Sequence, residues 1–338
     1  MRYVILAVFL AVLAGAGAAG HHVWTFLTVP PEDPGHEVVV VIEPGQRFAD
    51  VAARLVERGV VTDALLFTLY AKYTDLGGKV KAGEFALSTG LTPGKVLEVL
   101  TTSAGIQRKL SVPEGLTMRQ TARIVEEAGF GTAESFVRAA RDKALLEKYA
   151  VPADTAEGFL FPETYLFSRK PGNDAAYVVE AMLREFFRQA QNVWPVKPLE
   201  GKSLYEAVTL ASIVEKETGV PEERARVAGV FLNRLAKNML LQTDPTVIYG
   251  LGESFDGNLR RAHLDDPKNP YNTYQLPGLP PGPICSPGLG ALLAVAAPEI
   301  HDYYYFVATG EGAHRFSKTL NDHINAVNRF QRKRTTSP

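Results

Sequence analysis

The first thirty residues constrain the fold of this chain more than any other segment. From Tyr3 to Pro30 there is no Asp, Glu, Lys or Arg, and the stretch from Tyr3 to Gly20 is almost continuously apolar. A helix that spans the hydrocarbon core of a bilayer needs about 20 apolar residues. We therefore predict a transmembrane helix within residues 1–30, with Trp24 as an anchor at the membrane interface.

A cleaved signal peptide is the alternative interpretation, because the small residues from Ala14 to Ala19 could provide a cleavage site. Apolar character resumes after this run, at Val23–Leu27, and this favours a retained anchor. Arg2 and the amino terminus place the start in the cytoplasm, since basic flanks tend to stay there. We predict a single-pass protein of the inner membrane, with a linker at 31–37 and a periplasmic remainder.

The composition is that of a folded protein with no surplus of positive charge. The 338 residues are 46% hydrophobic and 22% charged. There are 36 basic and 37 acidic residues, which gives a net charge of −1. This balance argues against nucleic acid as a partner. Cys285 is the single cysteine, and the histidines lack ligand spacing, so we predict neither a disulfide framework nor a metal or other cofactor.

Beyond the linker the pattern is that of an α+β protein. Val38–Ile42 predicts a strand, residues 48–59 show helical spacing, and Ala82–Ser88 predicts a returning strand. We interpret residues 38–104 as a small LysM-like α+β module and residues 105–335 as a larger mixed α/β catalytic domain. Part of the first unit recurs at an offset of 70 residues, where four positions repeat: Gly45, Ala52, Glu57 and Gly59 as Gly115, Ala122, Glu127 and Gly129. Thr117 and Gln120 in the second copy have the spacing of a capping box, which predicts a helix start there.

An acidic helix end is the best candidate for chemistry. Ser203 and Glu206 have the spacing of a capping box, which predicts a helix from Ser203 to about Thr218. A carboxyl group among apolar residues has a raised pKa and can act as a general acid. Glu215 and Glu217 lie roughly 200° apart around this helix, so only one can face a given cleft. Helix geometry does not choose between them, and both could instead be structural carboxylates paired with a neighbouring cation, such as Lys216, Arg224 or Arg226.

Three loops after the helix are rich in residues that suit a sugar-binding cleft. They are Gln242–Asp244, Tyr271–Tyr274 and Gly278–Pro283. Amide and hydroxyl groups can bind sugar hydroxyls, and tyrosine rings offer a flat apolar face. The same residue types also form turns for their own reasons, so turn chemistry is the alternative for each loop taken singly.

These segments, taken in order, resemble the MltG (YceG-like) family of endolytic murein transglycosylases. The motifs that carry the resemblance cover nearly the whole chain, and they are Glu157-Gly158, Phe161–Tyr165, Ala211–Thr218, Asn233–Leu235, Leu241–Gly250, Tyr271–Tyr274, Gly278–Ile284 and Tyr304–Val307. Two departures, Val214 and Phe159, are minor and leave the implied activity unchanged.

The resemblance implies an enzyme that cuts nascent peptidoglycan strands internally, between N-acetylmuramic acid and N-acetylglucosamine. It implies 1,6-anhydro ends, the catalytic glutamate at Glu217, and work beside the peptidoglycan synthases of cell-wall elongation that terminates or releases growing strands. We expect a set of substrate contacts around this glutamate, namely Gln242, Asp244, Asn272 and Tyr274.

Two alternatives remain open on the sequence. One is a muramidase-like hydrolase that uses Glu217 with Asp244 or Glu163 as a second carboxylate. The other is a noncatalytic, glycan-binding membrane scaffold. The chemical nature of the new strand end distinguishes the two enzymes, because an anhydro end is lighter than a reducing end by one water.

Overall fold

The computed structural model describes residues 2–168, 174–310 and 312–331, and these residues form helices joined by short strands. The strands are β1 (Glu37–Ile42), β2 (Gly83–Ser88), β3 (Gln107–Ser111), β4 (Thr164–Ser168), β5 (Tyr305–Ala308) and β6 (His314–Ser317). The helices are α1 (Arg2–Thr28), α2 (Phe48–Glu57), α3 (Ala64–Tyr73), α4 (Pro93–Thr102), α5 (Met118–Glu127), α6 (Ala133–Ala139), α7 (Lys143–Lys148), α8 (Asp174–Val193), α9 (Gly201–Glu217), α10 (Arg224–Ala236), α11 (Asp244–Leu251), α12 (Arg261–Leu264), α13 (Leu289–Ala296) and α14 (Leu320–Phe330).

The mixed α+β class is confirmed, and so is the apolar helix at the amino terminus. Helix α1 has 27 residues and a mean hydropathy of 2.2 over its most apolar window, none of which is buried. At 1.5 Å per residue it is about 40 Å long, which exceeds the roughly 30 Å core of a bilayer. Helix α1 is therefore long and apolar enough to span a membrane.

The chain divides into two compact units, one of residues 1–109 with 166–174 and the other of residues 110–165 with 175–338. The boundaries that the sequence predicts, at 37/38 and 104/105, remain predictions, as does the likeness to LysM. The end of the predicted catalytic domain, 332–335, lies outside the described residues.

The first unit is built on the antiparallel pair β1–β2, whose register runs from Glu37 opposite Ser88 to Ile42 opposite Gly83. Burial alternates along β1, because Val40 and Ile42 are buried while the intervening residues are more exposed. This period of two is typical of a strand with one face on a core. Helices α2, α3 and α4 supply the rest of that core, and Phe26 at the end of α1 is buried in it.

The recurrence at 70 residues corresponds to a repeated turn from strand to helix. Gly45 after β1 has φ of 75°, and Gly115 after β3 has φ of 74°, a conformation that costs glycine little. The second copy also has the predicted capping box, in which the Thr117 side chain accepts from the Gln120 backbone and the Gln120 side chain accepts from the Thr117 backbone. Local sequence therefore sets both turns in the same way.

In the second unit, α9 packs with α10 and α13, and its middle is fully buried from Val208 to Val214. The predicted cap at Ser203 is wrong, since the helix begins at Gly201 and its N-cap is Glu200. Glu206 pairs with Lys202, with 3.5 Å between Oε1 and Nζ, one turn earlier on the same helix. Its side chain is therefore used within the helix, and the capping box does not form.

Candidate active site

Glu217 is the last residue of α9, and charged groups of three other elements act on it, namely Arg234 of α10, Asp244 of α11 and His314 of β6. Its Oε1 accepts a short hydrogen bond from the hydroxyl of Thr243, the residue before α11. Burial is the main cause that raises the pKa of Glu217, and the negative charge of Asp244 acts in the same direction. The Thr243 bond and two cationic groups oppose the rise. A partly exposed carboxyl with a raised pKa is suited to donate a proton.

Glu215, two residues earlier, is held by a different set of contacts. Its side chain is 7% exposed and lies 3.7 Å from Nη2 of Arg224, which also approaches Glu114 at 3.6 Å. Its second oxygen accepts from the backbone N–H of Gly288 at 3.0 Å. Burial raises the pKa of Glu215 as well, so the pKa direction does not distinguish the two glutamates. The contacts distinguish them, because the ion pair with a neighbouring cation, which was the structural alternative for both glutamates, is found at Glu215.

A cluster of threonines fixes the loop that carries Thr243. The backbone N–H of Thr243 donates to Oγ1 of Thr273 at 3.1 Å, and that hydroxyl lies 2.9 Å from Oγ1 of Thr246. Thr246 also donates to the carbonyl of Thr243 at 2.8 Å. All three threonines are buried. Hydrogen bonds among buried groups are hard to replace with water, so the Thr243 hydroxyl is held in place beside Glu217.

Three of the four predicted substrate contacts lie around this loop. The hydroxyl of Tyr274 donates to Oδ1 of Asp244 at 2.6 Å, and burial is the main cause that raises the pKa of Tyr274. Gln242 is exposed, has φ of 50°, and its backbone N–H donates to the carbonyl of Thr273 at 3.1 Å. Gln242, Asp244 and Tyr274 thus present polar groups near Glu217.

The fourth predicted contact, Asn272, has a structural environment. Its side chain is fully buried, and its Nδ2 donates to the carbonyls of His263, Leu264 and Asp266 at 2.7–3.2 Å. Its Oδ1 accepts from the backbone N–H of Tyr274 at 3.0 Å. Every polar atom of this amide is used by the backbone, so Asn272 shapes the loop that carries Tyr274, and its direct contact with a substrate stays a prediction.

Arg234, near the end of α10, does more than complement the helix dipole. It is 8% exposed, and its guanidinium donates to the carbonyls of Tyr304, Leu240 and Leu241 at 2.7–3.3 Å. Its charge also opposes the raised pKa of Glu217. Arg234 therefore ties the segment before Thr243 to the start of β5 and places a positive charge near the carboxyl group.

A largely buried histidine–glutamate pair near Glu217 could not be predicted from the sequence. Nδ1 of His314 lies 2.7 Å from Oε2 of Glu223, and the backbone N–H of His314 donates to Oε1 at 2.9 Å. Both side chains are close to 12% exposed, and His314 is one of the charges that lower the pKa of Glu217. The two residues are 91 positions apart in the sequence, and no local spacing signals their contact.

Glu157 is another buried carboxyl group, and the sequence marked it only as part of a motif. It accepts from the backbone N–H of Met118 at 2.9 Å and from the hydroxyl of Tyr249 at 3.2 Å. Burial raises its pKa to about 7. Glu157 thereby joins the first residue of α5 to α11, the helix that begins beside Thr243.

This pKa predicts a pH dependence of stability. Between about pH 4.5 and 7 the unfolded chain loses the Glu157 proton while the folded chain keeps it, so the free energy of unfolding falls as the pH rises. We expect Glu157→Gln to remove about 3 kcal/mol of this fall, measured by urea unfolding across the range. Glu163→Gln, at an exposed carboxylate, is the control, and an identical pH dependence in both variants would contradict the assignment.

Thr243 should set the ionisation of Glu217. Because the donated hydrogen bond favours the charged carboxylate, Thr243→Val is expected to raise the pKa of Glu217 further. The titration can be followed by NMR of a protein labelled with ¹³C at glutamate side chains. Thr243→Ser keeps the hydroxyl and should leave the titration near that of the unaltered protein. If the Glu217 resonance titrates alike in all three proteins, Thr243 does not set the ionisation of Glu217.

Metal-binding groups and the cysteine thiol are weaker candidates for a reactive site than Glu217. Within residues 2–168, 174–310 and 312–331, no three His, Cys, Asp or Glu side chains form a group that could hold a metal ion. Cys285 is fully buried, and its thiol donates to the carbonyl of Ser212 at 3.3 Å. Burial raises the pKa of this thiol, which disfavours the reactive thiolate.

Comparisons with known proteins agree with one another. The model of the YceG-like family matches residues 40–329. The endolytic murein transglycosylase of Bacillus subtilis (strain 168) is 30% identical over 315 residues, which are 88% of this chain and 86% of the relative. The protein of the same name from Streptococcus pneumoniae serotype 2 (strain D39 / NCTC 7466) is 30% identical over 355 residues, 95% of this chain and 63% of the relative, so the chain spans less than two thirds of that protein.

A solved structure is similar as well. The 2.6 Å crystal structure of a YceG-like protein from Listeria monocytogenes superposes with a TM-score of 0.55 at 30% identity. The match covers 86% of this chain and 98% of the crystallised one.

Proposed function

The chain belongs to the YceG-like family, and on this premise we propose that it is an endolytic lytic transglycosylase of peptidoglycan. It cleaves the bond between N-acetylmuramic acid and N-acetylglucosamine within nascent strands and leaves 1,6-anhydro ends. The names of the two curated relatives support the activity. The observation that carries the assignment to a residue is the Glu217 carboxyl, which is desolvated and bonded to Thr243.

A single carboxyl group is sufficient for this reaction. Protonated Glu217 donates to the glycosidic oxygen as the bond from C1 breaks, and the carboxylate that remains accepts the proton of the sugar's own 6-hydroxyl as that oxygen closes onto C1. The closure is intramolecular, so no water enters the product. The raised pKa favours the first step, and the nearby charges of Arg234 and His314 stabilise the carboxylate that the first step leaves.

Gln242, Asp244 and Tyr274 are the proposed substrate contacts. Gln242 and Asp244 are exposed, and Tyr274 orients the Asp244 carboxylate through its hydroxyl. Carboxylate, amide and phenol groups together can bind the hydroxyl and acetamido groups of the two sugars. Asp244 is also the second carboxylate that a hydrolase would need, whereas Glu163 is exposed and is not among the charges that act on Glu217.

The proposed location is the inner membrane, with α1 as a single-pass anchor and the rest of the chain on the periplasmic side. The length and hydropathy of α1 support the anchor. The burial of Phe26 in the first core favours a retained helix over a cleaved signal peptide, because cleavage after Ala19 would shorten the helix that positions this side chain. Work beside peptidoglycan synthases, with termination or release of growing strands, belongs to the same proposal.

Product analysis tests the activity. The full-length protein in detergent is incubated with uncrosslinked glycan strands, and the products are separated by length and weighed by mass spectrometry. We expect fragments from internal cuts, each with a new end that is lighter than a reducing end by one water. Reducing ends alone would identify a hydrolase, and intact strands would identify a noncatalytic binding protein.

A further inference from the structure

Glu223 holds His314 through both oxygens of its carboxyl group. Oε2 lies 2.7 Å from Nδ1 of the imidazole, and Oε1 accepts from the backbone N–H of the same histidine at 2.9 Å. Because carboxylate oxygens accept hydrogen bonds and do not donate them, Nδ1 carries the hydrogen of the first contact. The carboxyl group therefore fixes the orientation of the ring and leaves Nε2 on its opposite side.

Aromatic side chains fix the plane of the same imidazole. Phe306 of β5 meets the ring of His314 edge to face, with a centroid distance of 5.4 Å and an angle of 88°, and Phe316 of β6 lies 6.4 Å away. Phe306 in turn packs on the buried ring of Phe231 in α10 at 5.9 Å. The imidazole is thus held by packing as well as by Glu223.

The second ring nitrogen of His314 is available to a ligand. Nε2 has no hydrogen-bond partner among the described residues, and it is not one of the buried side-chain atoms that lack a partner. The side chain is 12% exposed, so part of the ring is open to solvent. A largely buried carboxyl group therefore orients a nitrogen that no other described group of the protein uses.

Two connections place this pair beside Glu217. Glu223 follows Glu217 by six residues, in the short turn between α9 and α10. Arg234 of α10 donates to the carbonyl of Tyr304 at 2.7 Å, next to β5, and β5 pairs with the strand that carries His314. The charges of Arg234 and His314 both act on the Glu217 carboxyl. Because such influence falls with distance, the imidazole lies close to the group that a sugar would contact.

A fixed N–H donor at this place suits an oxygen of the substrate. The hydroxyl and acetamido groups of N-acetylated sugars both offer oxygens that accept hydrogen bonds. A donor that is already held in position loses little conformational freedom when it binds, and a charged donor makes a stronger hydrogen bond than a neutral one. Carboxylate groups orient functional histidines in the same way elsewhere, with one ring nitrogen bound and the other turned to the reacting group.

We propose that His314 is a further substrate-binding residue of the Glu217 site, whose Nε2 donates to an oxygen of the sugar at the bond that is cut, and that Glu223 is its positioning residue. The inference rests on the proposed function for its substrate. It divides the imidazole into two parts, since Nδ1 serves the structure and Nε2 serves the reaction.

Two amide variants separate the two nitrogens. The side-chain nitrogen of asparagine can take the place of Nδ1, and that of the longer glutamine the place of Nε2. His314→Asn should keep the contact with Glu223 and nearly the full resistance to urea, but lower kcat/KM on uncrosslinked glycan strands about ten- to a hundredfold, the effect of one hydrogen bond from a charged donor. His314→Gln should unfold at lower urea concentration yet lose less activity.

His36→Asn is the matched control. Nδ1 of His36 also lies against a glutamate, at 2.6 Å from Oε2 of Glu32, but this pair is exposed. The variant should leave kcat/KM unchanged. All rates are measured on the full-length protein in detergent and corrected for the folded fraction. Full activity in His314→Asn, or losses in both His314 variants that follow their loss of stability, would overturn the substrate contact.

Glu223→Gln tests the positioning role. If Glu223 acts through the imidazole, combining Glu223→Gln with His314→Asn should lower kcat/KM no further than His314→Asn alone, because the two changes then remove one and the same contact. Losses that multiply in the double variant would show that Glu223 acts independently of His314 and would overturn its positioning role.

Binding separates these outcomes from a failure of the proposed function. The rate counts cuts whatever end they leave, so a hydrolase would pass or fail the same test. If strands stay intact with every protein, the proposed function has failed and affinity decides alone. Uncleaved strands are then titrated against Glu217→Gln protein with and without His314→Asn. A weaker affinity in the double variant supports the contact, and equal affinities would contradict it.

Discussion

Glu217→Gln is expected to lower kcat by about two to four orders of magnitude while the protein stays folded. Glutamine can still accept the hydrogen bond from Thr243, but it has no proton to donate to the leaving oxygen. Burial raises the pKa of Glu217, so the folded protein holds this proton more tightly than the unfolded chain does. The free energy of unfolding is therefore highest at acidic pH and falls as the pH rises and Glu217 has to ionise. We therefore expect the variant to unfold at higher urea concentration than the unaltered protein at pH 7.

Glu215→Gln is the matched control for this result. Glu215 lies in the same helix turn, but its oxygens contact Gly288 and Arg224, so the variant should retain kcat within about tenfold once corrected for its folded fraction. The rate is measured as the appearance of anhydro ends, and folding by circular dichroism. Full cleavage by Glu217→Gln, or an equal loss in both variants, would remove Glu217 from the mechanism.

Arg234→Ala is expected to lower the free energy of unfolding by about 3–5 kcal/mol, since it leaves three carbonyl groups, one buried and two partly buried, without their donor. The carbonyls belong to Tyr304, Leu240 and Leu241. The last two precede Thr243 by only two or three residues, so we also expect a lower kcat. Urea unfolding of the full-length protein measures the first effect.

Arg234→Lys serves as the control for charge. Lysine keeps the positive charge but cannot reproduce the planar set of donors, so most of the loss should persist. A change below about 1 kcal/mol in Arg234→Ala would show that these hydrogen bonds contribute little. Full stability in Arg234→Lys would show that charge, rather than the geometry of the donors, is what the site requires.

The parts of the fold that were predictable depend on neighbours in the sequence. The capping box of Thr117 and Gln120 needs only residues three apart, and it forms as predicted. Asp63 likewise caps α3 by accepting from the backbone of Leu66. The cap at Ser203 failed although the spacing was right, because Glu206 had a competing partner in Lys202.

The candidate site was only partly predictable, since its contacts join distant segments. The choice of Glu217 came from the family resemblance. The family match confirms that resemblance, while the choice of Glu217 stays a prediction. Sequence alone left Glu215 and Glu217 equivalent, because nothing local shows that one faces Thr243 and the other faces Gly288. The role of Asn272 as a substrate contact stays a prediction, since an amide suited to a sugar is equally suited to three carbonyl groups of its own loop, which it contacts in the structure.

One signal for Thr243 was present in the sequence. Threonine before an aspartate and a proline is typical of a helix N-cap, and Thr243 does stand at that position of α11. Its side chain makes no capping bond and bonds to Glu217 instead. A threonine that lies between two predicted substrate contacts can therefore belong to the site as well as to a helix cap.

Cleavage in water enriched with ¹⁸O tests the central claim most directly. If Glu217 transfers the proton of the sugar's own 6-hydroxyl, the new ends form without water, and their masses should show no ¹⁸O. The masses are read on fragments released by the full-length protein, with a muramidase digest of the same strands as the labelled reference. One ¹⁸O atom in each new end would show that water is the attacking group, and it would contradict the transglycosylase mechanism.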